Sequence, residues 1–249
     1  MSTEKTDALV IRLTDFSESS RVVTLFTREF GRISALAKGG RRLKGPFDGG
    51  LDLLAACRIV FIRKSTASLD LLTEAQLLRR YQPEGRDLVR YYGGFYVAEL
   101  LNGLTEEYDP HPRLYDQALA TLDRLAAAPE PRLAVLRFEL VLLREIGQLP
   151  ALEGCVVCGE PVNTETTYAL WVSQGGLICR TCQREEYHAR PIPAGTVALL
   201  RQLASENETL LDRLQAAPAQ LNQLRTLATT AISHVLGKRP RMLRYLERG

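Results

Sequence analysis

Four of the five cysteines in this chain fall into two Cys-x-x-Cys pairs, Cys155-Val156-Val157-Cys158 and Cys179-Arg180-Thr181-Cys182, with 20 residues between them. This is the spacing of a structural metal site. Each Cys-x-x-Cys turn brings two sulfurs onto one ion and aims backbone amides at their negative charge. Two turns complete a tetrahedron and leave no position open for a substrate. Gly154 and Gly159 flank the first turn, and Gly175-Gly176 precede the second. Between them, Tyr168–Val172 and Leu177-Ile178 read as the strands of a hairpin that holds the turns together. Zinc is the ion that four thiolates select, and one ion per chain is expected, held by Cys155, Cys158, Cys179 and Cys182. A redox pair and four unliganded thiols are the competing readings. His188 lies beyond the last cysteine and reads as a surface residue. Cys57 sits among apolar residues and reads as a buried, inert thiol rather than a nucleophile.

The segments around this quartet differ in period. Residues 8–13, 21–27, 32–38, 57–63 and 69–73 are apolar, partly β-branched runs separated by turn residues. Five short strands within residues 1–80 match the size of an OB-fold barrel. From Asp87 the spacing becomes helical: 87–104, 114–127 and 132–146 read as helices, the last with Gly147 at a left-handed C-terminal cap and Pro150 beyond it. Helical spacing returns at Ala194 and is strongest over 221–236, ending at Gly237. The expected fold is therefore α+β and multidomain. An OB-fold β-barrel occupies 1–80, an α-helical bundle occupies 81–150 and 191–249, and the four-cysteine finger at 151–190 is inserted into that bundle.

Charge is distributed unevenly. The net charge of +3 hides +5 over residues 1–80, −4 over 81–150, −2 over 151–190 and +4 over 191–249. Two basic ends flank an acidic middle, which points toward a polyanionic partner. Residues 1–7 are polar and mixed in charge, unlike a signal peptide, and no apolar run approaches the roughly 20 residues that cross a bilayer. A soluble, cytoplasmic protein is expected.

The basic residues cluster. Arg28, Arg32, Lys38, Arg41, Arg42 and Lys44 face a single acid, Glu29, over that stretch. Gly39, Gly40, Gly45 and Pro46 make the second half a loop, and long cationic side chains on a loop can follow a phosphate backbone without reading sequence. A solvated loop that only aids solubility is the plainer alternative. Lys238, Arg239 and Arg241 repeat the theme near the other end, as a second nucleic-acid patch or as cations favoured at a helix C-terminus. Of the phenylalanines in the first 80 residues, Phe26 and Phe61 read as core, and Phe47, in the basic loop, is the candidate for base stacking. Sparse aromatics imply binding dominated by phosphates and strongly salt-dependent. The three histidines belong to no metal or nucleophile motif, and GxSxG, HExxH and GxGxxG are absent, which lowers the expectation of an enzyme.

The order of these parts resembles the RecO family. The resemblance is carried by Glu18–Thr27, by Phe30–Gly39, by Phe138-Glu139-Leu140 with Leu142-Leu143, Gly147 and Pro150, by the cysteine quartet with Gly175-Gly176-Leu177, and by His234-Val235-Leu236-Gly237. The resemblance implies an N-terminal OB domain, a helical bundle and a zinc finger set into it. It also implies a recombination mediator of DNA repair, bacterial and nucleoid-associated. Such a protein binds single- and double-stranded DNA, anneals complementary strands and helps RecA replace the single-strand-binding protein SSB. RecR and the acidic C-terminal tail of SSB are the implied protein partners. An apolar groove with Arg or Lys would receive that tail, and Arg113, Arg124, Arg132 and Arg137 are available in the helical part. Two other readings compete: a zinc-ribbon protein that contacts RNA or polymerase, and a nuclease, whose clustered acids at strand ends are not evident.

Overall fold

The computed structural model describes residues 2–42, 46–47, 51–64, 69–85, 87–127, 129–184, 191–205, 214 and 216–246. They group into two compact units, residues 1–131 with 240–249 and residues 132–239. This division places the first two helices with the barrel.

In the first unit, β1 (Ser2–Asp15), β2 (Arg21–Thr27), β3 (Gly31–Ala37), β4 (Ala56–Arg63) and β5 (Asp70–Arg79) close into a barrel of order β1-β2-β3-β5-β4. This is the OB architecture expected from the strand pattern. The parallel pairing of β3 with β5, Ala35 opposite Asp70 to Ala37 opposite Leu72, makes the closure. β1 is longer than its apolar stretch because two neighbours share it. Ser2–Leu9 pair with β4 and Ala8–Asp15 pair with β2, with a register shift between Val10 and Arg12. Polar side chains at Ser2–Asp7 hide this from a reading of hydrophobicity. The alternation in β3 is complete: Gly31, Ile33, Ala35 and Ala37 are buried and the residues between them are not. The interior holds Val10, Val23, Leu25, Ile33, Cys57, Ile59, Phe61 and Leu72. Each large side chain so buried contributes about 1.5–3 kcal/mol.

Two helices belong to this unit. α1 (Leu88–Leu104) starts at Asp87, whose carboxylate accepts from Val89 N at 2.9 Å. Gly94 permits its close approach: a Cβ there would lie 2.6 Å from the Tyr81 ring and 2.7 Å from Leu54. α2 (Pro112–Ala127) is amphipathic and buries Leu114, Tyr115, Ala118, Leu122 and Leu125 on one stripe. Gly31 sits against the link between these helices, where a Cβ would meet Asp109 O at 2.1 Å.

The second unit contains α3 (Pro131–Glu145), β6 (Ala151–Cys155), β7 (Thr167–Trp171), β8 (Gly176–Cys179), β9 (Ile192–Pro193), α4 (Ala194–Ala204) and α5 (Pro218–Leu236). Gly147 and Gly237 adopt φ of 70° where the helices α3 and α5 end, as their positions in the sequence suggest. The sheet has the order β6-β8-β7-β9, and β7 and β8 form the expected hairpin, with Tyr168 opposite Cys179. Sheet and helices share one core: Leu136 and Leu140 of α3, Leu152, Tyr168, Leu177 and Ile178 of the sheet, Val197 and Leu200 of α4, Leu224 and Ala228 of α5. Buried Glu139 pairs with half-buried Arg225 and links α3 to α5. A last short helix, α6 (Leu243–Leu246), returns to the first unit, where Glu99 of α1 accepts from the backbone N–H groups of Arg241 and Met242 at 2.7 and 2.8 Å. Among the described residues no helix is long and apolar enough to cross a membrane.

Candidate metal centre and nucleic-acid interface

Each of the four cysteines stands where a strand ends or a turn begins. Cys155 closes β6 and Cys158 lies in the turn after it; Cys179 closes β8 and Cys182 ends a 3-10 turn over Arg180–Cys182. The turns are built by the backbone. Cys155 N donates to Glu160 O and Gly159 N to Cys155 O, both at 2.9 Å, while Val156 N reaches across to Leu177 O at 2.8 Å. Gly154 is needed because a Cβ there would lie 2.8 Å from Glu160 O. Arg201 of α4 pairs with Glu153 of β6, beside the first turn.

The four sulfurs lie within 4.8 Å of one another. An ion held tetrahedrally at about 2.3 Å separates its sulfurs by about 3.8 Å, and Cys158 Sγ and Cys179 Sγ are 3.8 Å apart. The quartet is therefore placed to hold a metal ion. Its electrostatics agree. Burial opposes ionisation of Cys155, yet the backbone N–H groups of Cys158, Cys179 and Val157 outweigh it and bring that thiol from 9.0 down to about 6. The thiols of Cys179 and Cys158 push Cys182 up to about 12. Cys155 ionises readily while Cys158 and Cys182 resist, which is the state a cation relieves by displacing their protons.

The barrel distributes its cations in two ways. Most arginines face carboxylates. Arg28 forms a two-pronged pair with Asp116 of α2 at 3.0 Å, which raises its pKa. Arg32 donates to Thr105 O at 3.0 Å and approaches Glu107 at 3.5 Å. Arg58 pairs with Asp7, Arg79 with Asp123 and Arg80 with Asp52. The second group sits at one end of the barrel. There Asp15 opposes Arg21 and Arg21 opposes Ala37, so the 16–20 and 38–42 segments leave the barrel together. Arg41 fastens them: its N–H donates to Ser19 O at 3.1 Å, and its guanidinium donates to Ser17 O at 3.2 Å and lies 3.6 Å from Asp15. Lys38 and Arg42 are exposed there and have no carboxylate partner among the described residues.

Comparison with known proteins bears on this arrangement. The model of the Recombination protein O N terminal family matches residues 1–81, and that of the Recombination protein O C terminal family matches residues 85–244. The DNA repair protein RecO of Rhodopirellula baltica is 37% identical over 262 residues, covering 96% of this chain and 97% of the relative. That of Anaeromyxobacter dehalogenans (strain 2CP-1) is 34% identical, covering 99% and 97%. The RecO of Syntrophus aciditrophicus is 28% identical over a similar extent, 99% and 96%. The chain belongs to the RecO family. It is thus a member of a DNA repair family whose N-terminal part is the OB-like barrel, and the resemblance seen in its motifs holds over the whole chain.

Within this RecO-family framework the residues singled out from sequence fall into distinct positions. The cysteines converge. Lys38, Arg41 and Arg42 share one end of the barrel, whereas Arg28 and Arg32 hold the barrel to α2 and to the α1–α2 link. Lys44 and His188 lie outside the described residues. Lys238, Arg239 and Arg241 are exposed after α5, and the backbone of Arg241 is tied to Glu99. Arg113 and Arg132 are exposed, but Arg137 is buried and donates to Leu203 O and Ser205 O at the end of α4. Arg137 is not available to an acidic peptide. Phe47 is 7% exposed and packs in the barrel core, so it offers no ring to a base. Buried Cys57 is pushed up to about 12 by desolvation and by Asp52, in keeping with an inert thiol. Sequence reasoning passed over the carboxylates Asp7, Asp116 and Asp123 that face the arginines. Asp116 and Asp123 lie on α2 and Asp7 on β1, and no local pattern points any of them at an arginine.

Proposed function

We propose that this chain is a non-enzymatic recombination mediator. It binds single- and double-stranded DNA through phosphates, anneals complementary strands and assists RecA loading onto SSB-coated DNA together with RecR. The observation that carries the reading is the cation-bearing end of an OB barrel in a DNA-repair family, where Lys38 and Arg42 stand exposed beside Arg41 and have no carboxylate partner among the described residues. Annealing needs no nucleophile. It needs cations that lower the repulsion between two phosphate backbones while bases pair. Lys38, Arg41, Arg42 and Lys44 carry that task in the 1–80 module, with Arg28 and Arg32 as structural neighbours and Lys238, Arg239 and Arg241 as a second patch. The exposed ion pairs do not oppose this role, since such pairs are weak, and an arginine can exchange a carboxylate for a phosphate.

The quartet Cys155, Cys158, Cys179 and Cys182 holds one structural zinc ion, which fixes the turns of the 151–190 finger. The acidic C-terminal tail of SSB is the second macromolecular ligand, and the protein works in the bacterial cytoplasm at the nucleoid. A fluorescence annealing assay on SSB-coated complementary strands tests the reading. Acceleration without nucleotide hydrolysis supports it. Magnesium-dependent cleavage of the strands, or binding of RNA without annealing, overturns it.

A further inference from the structure

The sequence offers Phe47 as a stacking ring, and the fold buries it. The same end of the barrel presents another. Phe16 is 64% exposed, more than any other large hydrophobic side chain among the described residues. The remaining phenylalanines of β1–β5 and their links, Phe26, Phe30, Phe47 and Phe61, are buried or half-buried.

The Phe16 backbone is held in place. Phe16 N and Ser17 N both donate to Ser20 O, at 3.0 and 3.2 Å, and Ser20 N donates back to Ser17 Oγ at 3.2 Å. The turn is then clamped from outside by Arg41, through Ser17 O, Ser19 O and Asp15. A large apolar ring on such a turn is pre-organised for a partner rather than free to fold back. Its surroundings define that partner's charge. Arg41 is fastened to the residues on either side of Phe16, and Arg42 follows it; Lys38 lies on the same segment. Against these cations, Asp15 is engaged by Arg21 and Arg41, and Glu18 is the one exposed acid of the turn.

We propose that Phe16 is a base-stacking residue: single-stranded nucleic acid sets its phosphates against Arg42 and Lys38 and lays a base on the Phe16 ring. The inference rests on the nucleic-acid reading above and adds a contact that only unpaired bases can make, since a duplex keeps its base faces covered. Stacking on one aromatic ring is tolerant of sequence. The site therefore separates single strands from duplexes without choosing among sequences, which suits a protein that must find exposed single strands before pairing them.

The test uses the full chain and fluorescence anisotropy with two labelled strands of equal length, one of thymidines and one made entirely of abasic sites. Phe16→Ala is expected to weaken binding of the thymidine strand about tenfold and to leave the abasic strand and a duplex unchanged. Phe16→Trp is expected to retain thymidine binding and to show indole quenching beyond that of native Trp171. Equal weakening of Phe16→Ala on both strands would make Phe16 a support of the fold and overturn the proposal. So would unchanged binding of the thymidine strand. If Arg42→Ala weakens both strands while Phe16→Ala weakens neither, the phosphate reading stands and the base contact falls. A wild-type chain that binds neither strand overturns the reading beneath.

Discussion

The barrel of β1–β5 and the sheet of β6–β9 are both small β-structures, yet they are closed by different means. The barrel closes on itself: every strand pairs on both sides, and its interior is filled by its own side chains, from Val10 to Leu72. The sheet has strands of two to five residues and an apolar face that it shares with α3, α4 and α5. Its turns are brought to one point by four sulfurs. One structure draws its stability from the hydrophobic effect; the other shares its core with neighbouring helices and places four thiols where an ion can join them. The lesson is that equal strand content does not imply equal dependence on chemistry: the barrel needs volume filled, and the finger needs charge placed.

The largest effect expected lies in the finger. Cys158→Ser should abolish a one-to-one zinc content measured by metal analysis and melt the second unit, because apparent binding energies of structural zinc run about 10–16 kcal/mol. A chain that keeps its thermal transition after losing the ion would break the contrast. Next comes the barrel. Phe61→Ala should cost about 3–5 kcal/mol in urea unfolding and leave the zinc content of the folded protein intact. The thiols sharpen the same contrast. Burial holds Cys57 at about 12, so its thiolate is scarce at pH 8 and iodoacetamide should spare it until the barrel unfolds. The quartet should become reactive on chelation alone.

For Cys155 the sign is the reverse. Its folded pKa is depressed from 9.0 to about 6, so the stabilisation it lends is present above pH 9 and is lost as pH falls toward and through 6. The thermal transition of the chelated, metal-free protein should fall over that lower range. A smaller effect is expected from Arg41→Ala combined with Arg42→Ala. It should weaken all DNA sequences alike and flatten the salt slope by about 1.4–1.8, with Arg42 contributing more because Arg41 is shared with Asp15. The smallest belongs to the exposed pair Arg28–Asp116, whose removal should shift stability by no more than about 1 kcal/mol in a double-mutant cycle.

Features fixed by neighbours in sequence were legible in it. The cysteine quartet is a spacing, and the strands of the barrel are apolar, partly β-branched runs between turn residues; both appear without knowledge of distant contacts. The capping glycines 147 and 237 were legible for the same reason. The first half of β1 was not, because Ser2–Asp7 carry polar side chains and owe their strand to β4, far along the chain. Nor were the ion pairs, since no local pattern couples Arg28 to Asp116 or Arg79 to Asp123. The placement of two phenylalanines was hidden on similar grounds. Phe47 lies among glycines and cations and reads as exposed, but it enters the barrel core. Phe16 follows an apolar strand, but the turn that begins there carries it into solvent.

The double pairing of β1 has a consequence for how the chain is made. Ser2 waits for Arg63 and Leu9 for Ala56 before that side of the strand is satisfied, which at roughly 5–20 residues per second is an interval of roughly 2–12 s on the ribosome. Through that interval β1 and β2 form a nascent hairpin with a bare edge, open to any extended peptide nearby. Synthesis rate, and not only equilibrium stability, thus enters the yield of correctly closed barrels.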